Sequence, residues 1–91
     1  MAHNVNLSWT ASTDTVSGYN VYRGTVAGGE TTLLTATPIT GTTYDDATAT
    51  PGKLFYVVKS VLNGVESAAS NEITVSLPPA PPTNLVLVSA A

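Results

Sequence analysis

The side chains that could take part in catalysis or bind a metal are few and widely separated along this chain. The only histidine is His3, there is no cysteine, and Asp14 lies far from the adjacent pair Asp45 and Asp46, whose side chains would point apart on a strand. Catalysis needs a nucleophile, a base and an orienting group within reach of one another, and Ca²⁺ needs about six to eight oxygen ligands. The sequence therefore predicts no enzyme, no metal site and no cofactor, and we interpret these aspartates as turn residues.

The composition limits the possible partners. The chain has 91 residues and a net charge of −3, and its only cations are Arg23, Lys53 and Lys59. Because nucleic-acid binding depends on many Lys and Arg contacts to phosphate, we expect no nucleic-acid partner. No apolar run approaches the ~20 residues of a membrane helix, so we expect no membrane insertion. The residues before the first alternating segment are too few for a signal peptide, so we expect none in this chain.

The first element that could position any side chain is Asn4–Thr10. Its apolar residues Val5, Leu7 and Trp9 alternate with polar ones, which is typical of a strand with one face in a core and one in water. Trp9 is the only tryptophan. We therefore expect the core to be assembled around it.

The rest of the chain continues as short alternating segments separated by turn residues. Gly18–Gly24 should be a strand with Tyr19 and Val21 facing inward, and Asn63-Gly64 is the clearest hairpin signal. The other predicted strands are 30–37, 42–46, 53–62 and a return strand at 71–77. This pattern predicts an all-β sandwich or barrel.

Four stretches carry a resemblance to a known family. They are Leu-Ser-Trp-Thr-Ala-Ser, Gly-Tyr-Asn-Val-Tyr-Arg-Gly, Pro-Gly-Lys-Leu-Phe-Tyr-Val-Val-Lys-Ser-Val and Ser-Asn-Glu-Ile-Thr-Val. In this order and spacing they resemble a fibronectin type III domain of the bacterial and phage type. The resemblance implies an immunoglobulin-like two-sheet sandwich over residues 1–77, with Trp9 on strand B, Tyr19 and Val21 on strand C, and Tyr56 and Val58 on strand F.

The chain departs from the family pattern at two places. Strand F of the family usually opens with a tyrosine that bonds back to the preceding loop, and our alignment puts Leu54 there, so that bond is expected to be missing. A one-residue slip would give the role to Tyr56, but would misplace Val58. In addition, residues 1–3 leave no room for strand A.

The C-terminal segment looks like the strand that the start lacks. Residues 78–82 form a proline-rich linker, and residues 83–91 form an A-like strand in which Leu85, Val86, Leu87 and Val88 are the predicted donor residues. The predicted acceptor edge and core are Val5, Leu7 and Trp9. The segment could pair within its own molecule, could open the next domain of a tandem array, or could be donated head to tail to a neighbouring subunit. Donation is the hypothesis that we favour, and it predicts a homo-oligomer or polymer.

Two functions remain open at this point. The first is a non-enzymatic structural or display module on a virion or bacterial exterior, in contact with virion or cell-surface proteins. The second is a spacer or carbohydrate-binding module from a secreted multidomain enzyme or adhesin, with polysaccharide as the partner. An outward Tyr22 could belong to a sugar-stacking platform, although surface packing explains it better. Both functions predict an extracellular or virion-surface location.

Overall fold

The computed structural model describes residues 3–90, except for the side chain of His3. The expectations for residues 1 and 2, for the His3 side chain and for Ala91 lie outside the described residues. All regular structure in the described range is β-strand: β1 (His3–Ser8), β2 (Gly18–Gly24), β3 (Thr32–Leu33), β4 (Thr43–Ala49), β5 (Gly52–Leu62), β6 (Val65–Glu66) and β7 (Ile73–Leu77). Nowhere in residues 3–90 is there a helix long and apolar enough to cross a membrane.

The strands form two antiparallel sheets. β1 pairs with β4 in a two-stranded sheet. The other sheet has five strands in the order β3, β2, β5, β6, and its fifth strand, β7, also pairs with β5. The buried core takes residues from both sheets: Val5, Leu7, Val21, Ala49, Leu54 and Tyr56. The predicted all-β sandwich is therefore confirmed.

Trp9 is not the centre of this core, contrary to the expectation. β1 ends at Ser8, and Trp9 follows it as a half-buried residue whose ring meets Tyr19 edge-on, with the ring centroids 5.6 Å apart. The largest fully buried side chains are Tyr56, Val21 and Asp46 instead. The physical reason is position, because a ring beyond the end of a strand caps the core from one end, whereas mid-strand residues are covered on all sides.

The second strand is as predicted, and two others differ. β2 spans Gly18–Gly24 with Tyr19 and Val21 buried. The predicted strand 30–37 is reduced to two residues, since β3 pairs with β2 only at Tyr22 and Arg23. The turn at Asn63-Gly64 has positive φ at both residues, 52° and 79°, and leads first into β6, so the return strand is interrupted and resumes at Ile73.

The tyrosine of β5 bonds to the other sheet and not to the loop that precedes its strand, so it does not replace the bond that was expected to be missing. Tyr56 is almost fully buried and donates a hydrogen bond of 2.6 Å from its hydroxyl to Asp46 in β4. Leu54 is a buried apolar residue of the core. The shift that would have given this role to Tyr56 gains no support, and Val58 packs against the core as a half-buried residue, as expected without the shift.

The C-terminal segment after β7 forms no strand within residues 78–90. Pairing of this segment with its own sandwich, one of the alternatives above, is not what the structure has. The described chain measures 70 Å along its longest axis and only 22 and 20 Å along the others.

Candidate functional site

The buried carboxylate of Asp46 is the centre of a polar network that contains an ion pair. Asp46 lies in β4 and is 1 % exposed, whereas its neighbour Asp45 is exposed, so the two side chains point apart as predicted. Asp46 accepts hydrogen bonds from Arg23 Nη1 at 2.7 Å, from Tyr56 at 2.6 Å and from the Thr48 hydroxyl at 2.7 Å. Its interpretation as a turn residue was therefore wrong.

The environment of Asp46 favours its ionised form. Burial alone would raise its pKa, but the hydrogen bonds from Tyr56, Thr48 and Arg23 outweigh burial and lower it. Burial and the bond to Asp46 both raise the pKa of Tyr56. Arg23 and Asp46 form an ion pair in which the arginine side chain is 19 % exposed. The pKa values of Asp46, Arg23 and Tyr56 are all shifted away from neutral pH, so we interpret this centre as structural.

A second pair of carboxyl groups lies on the surface. Glu72 accepts a hydrogen bond of 2.8 Å from the backbone N–H of Gly28. A hydrogen bond with Glu72 raises the pKa of Glu30, and the same bond lowers the pKa of Glu72. Glu30 and Glu72 are 42 positions apart, so only the fold brings them together, and no sequence signal could have shown it. In the described part of the chain, no group of three or more His, Cys, Asp or Glu side chains could hold a metal ion.

Tyr22 does not present a free aromatic face. The Lys59 ammonium lies 4.9 Å from the centroid of its ring, and its hydroxyl donates a hydrogen bond to Glu66. Glu66 also accepts a hydrogen bond of 2.9 Å from Asn20, and the bond to Glu66 raises the pKa of Tyr22. Stacking a sugar on this ring would first require the displacement of Lys59, so surface packing accounts for Tyr22.

The outer edge of β1 is an unpaired sheet edge within residues 3–90. β1 pairs only with β4, in a register that sets Leu7 opposite Tyr44, and the ladder continues as Trp9 N–H donates to the carbonyl of Thr42 at 3.0 Å. Successive residues of an antiparallel strand direct their N–H and C=O groups to opposite sides. The groups of Leu7 and Trp9 therefore face β4, and those of Asn6 and Ser8 face the open edge.

An apolar crevice lies beside this edge, between the two sheets. It has a volume of about 80 Å³ and is lined by Leu7, Trp9, Tyr56 and Ile73, among others. Ile73 is 40 % exposed, although it belongs to the same inward-facing series of β7 as Val75 and Leu77. The crevice is well above the roughly 10–15 Å³ that a single water needs, so the open side of the sandwich leaves an apolar space that is larger than one water.

The four predicted donor residues are all exposed in this chain. Leu85, Val86, Leu87 and Val88 are 98, 70, 81 and 91 % exposed, respectively. Of the predicted acceptor residues, Val5 and Leu7 are buried and Trp9 is half-buried. The structure thus contains an open edge and an unpaired apolar segment, but it does not bring them together within one molecule.

Comparisons with known proteins give a consistent picture. No family model matches the chain. Its structure is similar to the crystal structure of an Fn3-like protein from Clostridium thermocellum, with a TM-score of 0.71 and 40 % sequence identity over 86 % of this chain and 80 % of that one. Most of the chain also matches parts of enzymes that are much longer.

Two of these enzymes show how short this chain is in comparison with its relatives. One is an amylopullulanase from Thermoanaerobacter thermohydrosulfuricus, 46 % identical over 71 residues, which are 76 % of this chain but 5 % of the enzyme. The other is chitinase A1 from Niallia circulans, 39 % identical over 97 aligned positions, which cover 92 % of this chain and 13 % of the enzyme. The chain thus spans between about a twentieth and an eighth of these relatives.

Proposed function

Because this chain belongs to the fibronectin type III family, we propose that it is a non-catalytic spacer module of an extracellular, multidomain protein that acts on polysaccharide. As a spacer it holds neighbouring domains apart and contributes no reactive group itself. The observation that carries this proposal is the match to small parts of large enzymes named for polysaccharide cleavage, at 39 to 46 % identity. The chain resembles one unit within each of them.

The chemistry of the surface supports a spacer over an enzyme. The strongest polar network, around Asp46, is buried and joins β4 of one sheet to β2 and β5 of the other. It has no acid or base with a pKa near neutrality. Glu72 is exposed and Glu30 half-buried, and the hydrogen bonds of this pair among the described residues join it to the Gly28 backbone and to no histidine, serine or threonine that could complete a catalytic site.

The arrangement of aromatic rings supports a spacer over a carbohydrate-binding module. Rings that bind sugars lie flat and open on a surface, whereas every aromatic side chain in residues 3–90 is buried or half-buried. The most accessible candidate from the sequence, Tyr22, is covered by Lys59. A display role on a virion, the first of the two functions expected from the sequence, gains no support from the relatives, which are enzymes.

The proposal is tested with the purified chain and two polysaccharides, starch and chitin. We expect no release of reducing ends and no depletion of the protein from solution when insoluble starch or chitin is sedimented. A cooperative thermal unfolding transition of the same sample should show that the module folds on its own. Hydrolysis that co-purifies with the chain would contradict the non-catalytic assignment.

A Tyr22→Ala variant separates the spacer from the carbohydrate-binding alternative. Since Tyr22 projects onto the surface and lies outside the core cluster, this change should leave the fold intact. If insoluble starch or chitin depleted the unmodified chain but not this variant, the result would contradict the spacer role and support a carbohydrate-binding function. Identical behaviour of the two proteins, with neither depleted, is the result that we expect.

A further inference from the structure

We propose that the segment 85–89 of one copy of this chain docks as a third strand on the open edge of β1 in a second copy, antiparallel to β1. The inference goes beyond the spacer role and does not depend on polysaccharide, because it concerns only how copies of the chain meet. The donor is the unpaired apolar segment after β7. The acceptor is the β1 edge together with the crevice beside it.

The first support comes from hydrogen bonding. The N–H and C=O groups of Asn6 and Ser8 face away from β4, and no described residue of this chain lies in position to continue the sheet there. An unpaired edge of this kind is a template for another strand. The residues from Leu85 onward follow a left-handed turn at Asn84, φ 59°. At ~3.3 Å each, the residues of segment 85–89 would cover most of the six-residue length of β1.

The second support comes from the side chains. A strand on the β1 edge would place alternate residues on the core face. Leu85 and Leu87 form one such alternate set, and the crevice lined by Leu7, Trp9 and Ile73 offers an apolar site of about 80 Å³. Val86 and Val88 would then point outward, to the same side as Asn6 and Ser8. An exposed apolar segment and an apolar crevice of this kind are complementary.

The direction of the chain indicates that the acceptor belongs to another copy. Leu77 pairs with Gly52, and His3 pairs with Ala49, so the end of β7 and the start of β1 lie at the same end of the sandwich. On its own β1 the tail would have to reverse direction and run parallel. The proline-rich spacer 78–82 opposes that reversal because it favours an extended, stiff conformation.

A second copy removes this difficulty. A second copy that is stacked beyond the C-terminal end of β7 would receive the tail at the Ser8 end of the second copy's β1. The two strands would then run antiparallel, which is the slightly more stable arrangement. Since each copy has one donor and one acceptor at opposite ends, the contact is heterologous, and it produces a ring or an open chain of subunits.

A pair of matched double variants tests the donor. We expect sedimentation velocity of the unmodified chain to show association that increases with concentration. Leu85→Ser with Leu87→Ser should weaken this association by at least about 100-fold, because it removes the two side chains that would face the core, at and beside the crevice. Val86→Ser with Val88→Ser removes a similar apolar area from the outward face and should weaken it by less than about 10-fold. Equal effects of the two pairs would indicate non-specific adhesion of the tail and overturn the proposal.

A mixing experiment tests the acceptor in the same way. Asn6→Pro removes an N–H that faces the open edge and leaves those that face β4. This variant and the Leu85→Ser, Leu87→Ser variant should each be monomeric, and their mixture should give a one-to-one dimer and nothing larger. Thermal unfolding shows whether the Asn6→Pro sandwich is folded. If it is not, the two double variants of the donor segment test the proposal alone. Their folding should be unaffected, because the substituted side chains are 70 to 98 % exposed in the single chain. A monomer at every concentration of the unmodified chain, or a mixture of folded variants without the dimer, overturns the inference.

Discussion

At Asp46, a carboxylate is held inside the sandwich by hydrogen bonds from Arg23, Thr48 and Tyr56. Arg23 and Tyr56 come from the five-stranded sheet, whereas Asp46 and Thr48 come from the two-stranded one. The network therefore ties the two sheets together at a point where apolar packing alone would not fix their relative position. Removal of one partner from a buried pair leaves the other charge uncompensated, which costs more than the intact pair contributes.

The Asp46 network predicts a specific dependence of stability on pH. The pKa of Asp46 is lowered from its ordinary value of 3.8, so its contribution is complete above that value and is lost as the pH falls through the lower pKa of the folded state. We expect Asp46→Asn to reduce the free energy of unfolding at neutral pH by about 2–4 kcal/mol. Below about pH 4 the difference from the unmodified chain should shrink.

Urea unfolding as a function of pH measures both effects. Asp45→Asn is the matched control, because Asp45 is the exposed neighbour of Asp46 on the same strand. It should change the stability by less than about 0.5 kcal/mol at neutral pH. Coincident pH profiles for the two variants would mean that the buried network does not contribute as described.

These residues also show which parts of the structure can be predicted from the sequence. The inward positions of Val5, Leu7, Tyr19 and Val21 follow from alternation, which depends only on the geometry of a strand. The burial of Asp46 could not be found in that way, because its partners Arg23 and Tyr56 are 23 and 10 positions away and meet it only across the two sheets. A polar residue at an inward position of an alternating segment was the one available signal.

Among the elements, the turn at Asn63-Gly64 was predicted from two residues, whereas the strands around it were harder to delimit. β6 and β7 are separate because residues 67–72 leave regular pairing with β5, although Ser67 and Ser70 still bond to its backbone. Such irregular segments have no periodic pattern, and their path depends on side-chain bonds that only the folded structure reveals. The same limit explains why β3 is shorter than predicted.

The turn gives a prediction at the scale of an element. Gly64 has φ of 79°, and a Cβ placed there would meet no atom within 4 Å, so the cost of Gly64→Ala is backbone strain alone. We expect a loss of about 1 kcal/mol in the free energy of unfolding, measured by thermal or urea denaturation. Gly41→Ala is the control, since a Cβ there also meets open space and φ is not positive. A loss at Gly41 equal to that at Gly64 would refute the explanation.

For the whole molecule, the sequence indicated two complementary segments but not whether they contact each other. The open edge of β1 and the apolar segment 85–88 were both evident as patterns, and the structure places them apart. No pattern within one chain can decide whether such parts meet in another copy, because that depends on how free molecules associate. The family relation indicates a module within larger proteins, and the proposed docking of a strand on the β1 edge suits a unit that is stacked end to end.

The central proposal is that a second copy of this chain docks on the open edge of β1. Amide hydrogen exchange of the unmodified chain, followed by NMR at low and high protein concentration, tests it directly. The account predicts that the amides of Asn6 and Ser8 exchange rapidly in dilute protein and become protected as concentration rises, while that of Leu7, which faces β4, is protected throughout. Asn6 and Ser8 amides that exchange equally fast at both concentrations would contradict it.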